Sequence, residues 1–146
     1  MKKLLFVLAG LLSLNSMALE LSEKTPLLVK QESPGFAPVQ YQNFSKCEVY
    51  PNKVVIKKGV GPLMTTQEFE HKLSGPTLDI LEAVYESPRS KEQGPTDIPS
   101  TSYSFFAVED NTTIEVLFEQ RGQTMVSTEG NSAALLKNFM DKVCDK

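Results

Sequence analysis

The chain has 146 residues, 23% charged and 40% hydrophobic, with 18 acidic against 15 basic side chains and a net charge of −3. That length suits one ordinary domain able to bury a real core. The acidic balance argues against nucleic acid and anionic membrane surfaces as partners, because both gather basic patches.

The N-terminus reads MKKLLFVLAGLLSLNSMALE. Lys2 and Lys3 precede an apolar run from Leu4 to Leu14, and Ser16 and Ala18 stand three and one residues before a cut ahead of Leu19. This is the three-part pattern of a secretory signal peptide, of bacterial type, over residues 1–18. The run is too short to cross a bilayer, which takes about 20 apolar residues. No cysteine lies near the cut, which argues against a lipid anchor. Two basic and no acidic residues fall in 1–18, so the cut chain carries a net charge of −5. The expected location is the periplasm or the extracellular space.

Residues 19–43 carry Pro26, Pro34 and Pro38 and read as an extended N-terminal arm. Within it, TPLLVKQ is either an edge strand or a segment packed across the domain. A single α+β domain is expected over 44–146. FSKCEVYPNKVVIKKG predicts a hairpin turning at Pro51-Asn52. TTQEFEHKLSGPTLDILEAVYES predicts two helices, the first capped by Thr66, the second opening at Gly75-Pro76 with Leu78, Leu81, Val84 and Tyr85 facing inward. Residues 87–101, with three prolines, a glycine and Ile98 as the one aliphatic side chain, predict a long irregular loop. SYSFFAVEDNTTIEVLFEQRGQTMVSTEG predicts a three-stranded meander turning at Asp110-Asn111 and Arg121-Gly122. GNSAALLKNFMDKVC predicts a last amphipathic helix, capped by Asn131 or Ser132, with Leu135, Leu136, Phe139, Met140 and Val143 in one stripe. The expected fold is an α+β two-layer sandwich in the order ββ-α-βββ-α, an antiparallel sheet with its helices on one face.

Cys47 and Cys144 are the only cysteines. In an oxidising compartment they predict one disulfide, tying the first hairpin to the last helix. With the single histidine, His71, they make a poor zinc set. A phosphate-binding loop is absent: Gly59-Val60-Gly61 follows Lys57 and Lys58 but lacks the Gly-Lys-Ser/Thr continuation. Glu109, Asp110, Glu115 and Glu119 do not have calcium-loop spacing. No cofactor is therefore expected.

The leading functional expectation is a non-enzymatic binding domain whose partner is another envelope or secreted protein. Two surfaces are its candidates: the 87–101 loop, with Arg89, Ser90, Lys91 and Ile98, and a sheet face carrying Leu117 and one of the adjacent aromatics, with Phe105 taken as the candidate. Phe105 and Phe106 point to opposite faces of their strand, so one is core and the other is covered by the arm or exposed. One alternative is a protease inhibitor presenting Arg89 to a trypsin-like pocket. A second is a small hydrolase with His71 as base beside Ser74, Glu68 and Glu70.

Overall fold

The computed structural model describes residues 24–146. The predicted signal peptide and the first residues of the arm lie outside them. Among the described residues, eight strands form one antiparallel sheet: β1 Leu28–Ser33, β2 Asn43–Val49, β3 Lys53–Val60, β4 Leu63–Glu70, β5 Arg89–Gln93, β6 Ser100–Glu109, β7 Thr112–Arg121 and β8 Thr124–Thr128. Two α-helices complete it: α1, Gly75–Glu86, between β4 and β5, and α2, Asn131–Cys144, after β8. The spatial order is β4-β3-β2-β1-β6-β7-β8-β5. The fold is thus α+β and dominated by its sheet, with more strands than the expected order contained.

Three segments differ from expectation. β1 is neither an edge strand nor a loose arm, but lies mid-sheet, paired with β2 and β6. Its buried Leu28 and Val29 point to opposite faces, as a central strand requires. β4 replaces the helix expected from Thr66. The two-residue turn Gly61-Pro62, with Gly61 at φ 57°, folds the chain straight back, and all eight β4 residues pair with β3. Glu68 and Glu70 around Phe69 fit a strand alternation as well as an acidic first helical turn, and the adjacent hairpin decides between them. β5 forms inside the expected loop because Arg89–Gln93 pairs with Thr124–Thr128, which supplies the ladder its own composition does not favour.

The remaining elements follow their local chemistry. Asp110 and Asn111 adopt φ 48° and 62°, the left-handed pair of a tight hairpin turn. Tyr50 N–H donates to the Lys53 carbonyl across Pro51-Asn52. α1 opens with Pro76 in its first turn and buries Leu81 and Val84. α2 buries Leu136, Met140 and Val143, but leaves Leu135 exposed. Its cap is Gly130 at φ 97°, with no side-chain bond, rather than Asn131 or Ser132.

The buried helix residues meet Leu28, Val49, Val54, Phe105 and Val116 in one core, and the pairing register puts those five side by side on one sheet face. Aromatic contacts run through it: Tyr85 to Phe105, Phe105 to Phe118 and Phe118 to Tyr103, with ring centroids 6.1–6.3 Å apart. Cys47 and Cys144 form the disulfide, their Cα atoms 5.8 Å apart. It closes a loop of 97 residues between β2 and the last turn of α2. A loop of that length has an ideal stabilisation of about 4–5 kcal/mol through the unfolded chain.

Candidate functional site

On the helix-facing side of the sheet, residues of adjacent strands line up in rows. One row runs Ile56, Cys47, Lys30, Tyr103. The end of α2 is fastened over it, by the disulfide and by ion pairs. Lys30, almost fully buried, places its ammonium 2.9 Å from Asp145 and 3.0 Å from Asp141. Asp141 also accepts hydrogen bonds from the Tyr103 hydroxyl and the Lys137 ammonium, both at 2.7 Å. Burial alone would raise the Asp141 pKa, but hydrogen bonds from Lys137, Tyr103 and Lys30 outweigh it and hold the carboxyl at about 2. Burial likewise works against the Lys30 ammonium, and its bonds to Asp145 and Asp141 overcome that and raise its pKa.

The next row is Thr65, Lys58, Ser45, Glu32, Thr101, one residue from each of five neighbouring strands. These five residues line a groove of about 980 Å³. The β1–β2 connection, the β3–β4 hairpin tip and the 97–101 segment form its rim. The rim is apolar and unusually bare: Phe36 is 92% exposed, Leu63 76% and Tyr41 69%, with Val60 also exposed. Gly35 makes the wall possible. A side chain there would meet the Asp97 carbonyl oxygen at 2.8 Å and the Pro99 nitrogen at 3.0 Å, so only glycine lets the two loops lie backbone to backbone. The site is a polar floor of hydroxyls with one carboxylate and one ammonium, inside an apolar rim. Among the described residues, no side-chain hydrogen bond joins Ser45 to Lys58 or Glu32, and Lys58 makes no ion pair. The floor's hydroxyls, carboxylate and ammonium offer both hydrogen-bond donors and acceptors.

The expected site residues lie elsewhere, with partial overlap. Arg89, Ser90 and Lys91 are exposed on β5, at the sheet edge farthest from β4. There Arg89 belongs to a ladder with β8 and not to a projecting loop. Ile98 is 40% exposed between the groove-lining Asp97 and Pro99. Phe105 is fully buried in the core, so it offers no surface. Phe106 is its half-buried neighbour on the opposite face, and its N–H donates to the Leu27 carbonyl. Leu117 is half-buried opposite Ser104, on that same outer face. On the same face, but over β2 and β3, the Lys46 and Lys57 ammoniums converge on the buried Glu48 at 2.7 and 2.9 Å. Burial opposes ionisation of Glu48, but those bonds prevail and lower its pKa. The lysine stems thereby cover part of that face.

His71 follows β4, and its ring packs 5.8 Å from that of Phe139. It lines a shallow hollow of about 550 Å³ with Glu68, Glu70 and Lys72. The Ser74 hydroxyl is engaged with that of Thr77 at 3.1 Å. Among the described residues no cluster of histidine, cysteine and carboxylates could hold a metal ion. Nor, among them, is any helix long and apolar enough to cross a membrane.

Phe36, Tyr41, Val60 and Leu63 are the residues that sequence reasoning missed. A signal was present: an aromatic inside Pro34-Gly-Phe-Ala-Pro38 cannot sit in a regular element and has no periodic core face to join. Fold and groove together define a disulfide-stapled α+β domain with an open, apolar-rimmed groove. No protein-family model matches the chain, no curated protein matches it in sequence, and no solved structure matches its fold.

Proposed function

We propose that this is an exported, non-enzymatic binding protein of the bacterial periplasm or extracellular space, and that its site is the groove over Ser45 and Thr65. The ligand is a small amphipathic molecule. Its apolar body packs on Phe36, Tyr41, Val60 and Leu63, and its polar edge bonds to the floor hydroxyls. The observation that carries this reading is the exposed aromatic and aliphatic rim around a concavity of about 980 Å³. That volume is at the upper end of small-molecule pockets, and apolar side chains gathered round a concavity are a recurrent mark of a binding site. The signal-peptide pattern and the disulfide support export. We read the helices as the second layer of a two-layer sandwich whose uncovered end is the site. The 87–101 segment takes part through Asp97 and Pro99, in place of Arg89.

The test is a titration with N-phenylnaphthylamine, a neutral probe that fluoresces in apolar surroundings, against a chain with no tryptophan. Saturable enhancement is expected from the native protein and little from the double variant Phe36→Ser, Tyr41→Ser with unchanged circular dichroism. Equal enhancement in both, or none in the native protein, would remove the groove from consideration.

A further inference from the structure

The two edges of the sheet are built differently. β5 has five residues, of which Arg89, Lys91 and Glu92 are charged, and all five are exposed. Short, charged edges resist pairing with other strands. β4 has eight residues, and its first five, Leu63 to Gln67, carry no charge. Among the described residues it pairs with β3 alone, so the backbone groups along its outer side have no strand to bond to. Exposed apolar side chains gather at this same edge: Leu63, Met64 at 58%, and Val60 on the strand beside it.

We infer that β4 pairs antiparallel with β4 of a second copy across a twofold axis, joining two sheets into one. A bare edge calls for another polypeptide strand, because only a backbone offers the matching row of donors and acceptors. The side chains of β4 then select a copy of itself. With a twofold axis normal to the sheet, facing residues keep the same face, so the axis must pass through a residue and not between two. An axis at Thr66 sets Leu63 opposite the partner's Phe69, Thr65 opposite the partner's Gln67 and Met64 opposite the partner's Glu68. Thr66 meets its own copy, a favourable cross-strand pair, and no two like charges face each other. Lys53 already neutralises Glu68, at 3.2 Å. An axis at Gln67 puts Met64 against Glu70, and an axis at Glu68 sets two carboxylates face to face. Pairing at Thr66 also brings the partner's Phe69 beside Leu63, so the second copy adds to the groove rim. The pairing stands on the edge and its register, and holds whether or not the groove binds a small molecule.

Sedimentation velocity over a micromolar concentration series tests it. The native chain should pass from monomer to dimer as concentration rises. Thr66→Lys and Thr66→Glu each place like charges across the axis and should each raise the dissociation constant by about tenfold or more. Thr66 is exposed, so both variants should keep the native circular dichroism spectrum. Mixing them should restore a dimer of one lysine and one glutamate variant. A native chain monomeric throughout overturns the inference, as does a dimer insensitive to both substitutions. Failure of the mixture to associate overturns it too. Association seen only after envelope extract is added would assign the edge to a different partner and also defeats it.

Discussion

Replacing Asp141 by asparagine should destabilise the fold far more than removing the lysine beside it. Asp141 accepts from Tyr103 and Lys137 at 2.7 Å and faces the Lys30 ammonium at 3.0 Å. Asparagine keeps the volume but loses the charge and turns an acceptor into a donor facing two ammonium groups. Stripping a partner from a buried ion pair costs about 3–5 kcal/mol. Here Asp145 stays at 2.9 Å from Lys30, though its side chain is largely exposed. The expected loss for Asp141→Asn is therefore about 2–3 kcal/mol. Lys30→Met removes the buried charge itself, while Asp141 keeps Lys137 and Tyr103, so the change should stay within about 1 kcal/mol of zero. Urea unfolding of the disulfide-intact protein at neutral pH measures both. A pH series adds a signature of the charge. The carboxyl is held at about 2 in the fold against an ordinary 3.8. A depressed carboxyl stabilises the fold above its ordinary value and loses that contribution as pH falls through its folded value. The gap between native protein and Asp141→Asn should thus be full above the ordinary carboxylate range and shrink on acidification towards about 2. If Lys30→Met proves as costly as Asp141→Asn, or the gap ignores pH, the network does not hold the helix end as argued.

Three further outcomes follow from the same fold. Replacing Cys47 and Cys144 together by alanine should cost about 2–5 kcal/mol, read as a lower urea midpoint, and reduction of the native protein should reproduce that loss. Phe105→Ala should cost about 3–5 kcal/mol in the same assay, because the ring is fully buried; a loss under about 1 kcal/mol would contradict its place at the core centre. Gly35→Val should force the β1–β2 connection away from residues 97–99 and weaken N-phenylnaphthylamine binding, while the urea midpoint moves much less than for Phe105→Ala.

What the sequence disclosed, and what it hid, divides along a physical line. Helix faces, tight turns and the disulfide were legible, because each is set by residues within one local pattern or by a lone pair of thiols. Leu81, Val84, Leu136 and Met140 are buried as their spacing required, and Asp110-Asn111 turns as its φ preference required. The central place of β1, offered as an edge strand at most, and the strand state of β5 were hidden because distant partners impose them. Lys30, read locally, is a solvated residue of an arm; only Asp141 and Asp145, far along the chain, make it a buried anchor. β4 was hidden for a different reason. Its exposed, alternating residues fit an acidic helix start equally well, and the Gly61-Pro62 turn settles the question. The groove was harder still, since its floor draws one residue from each of five strands.

That floor lies one row beyond the row to which the end of α2 is fastened, and the disulfide and the Lys30 cluster set that boundary. Both fasten the last turn of α2 to the row through Cys47 and Lys30, so the helix cannot slide over Ser45 and Glu32. In an ordinary core those positions would be apolar and covered. Here they are polar, and the apolar side chains stand around them, Phe36 and Tyr41 in the β1–β2 connection and Val60 and Leu63 at the facing ends of β3 and β4. Polar residues beneath the opening and apolar ones around it are the distribution that the proposed binding reading requires.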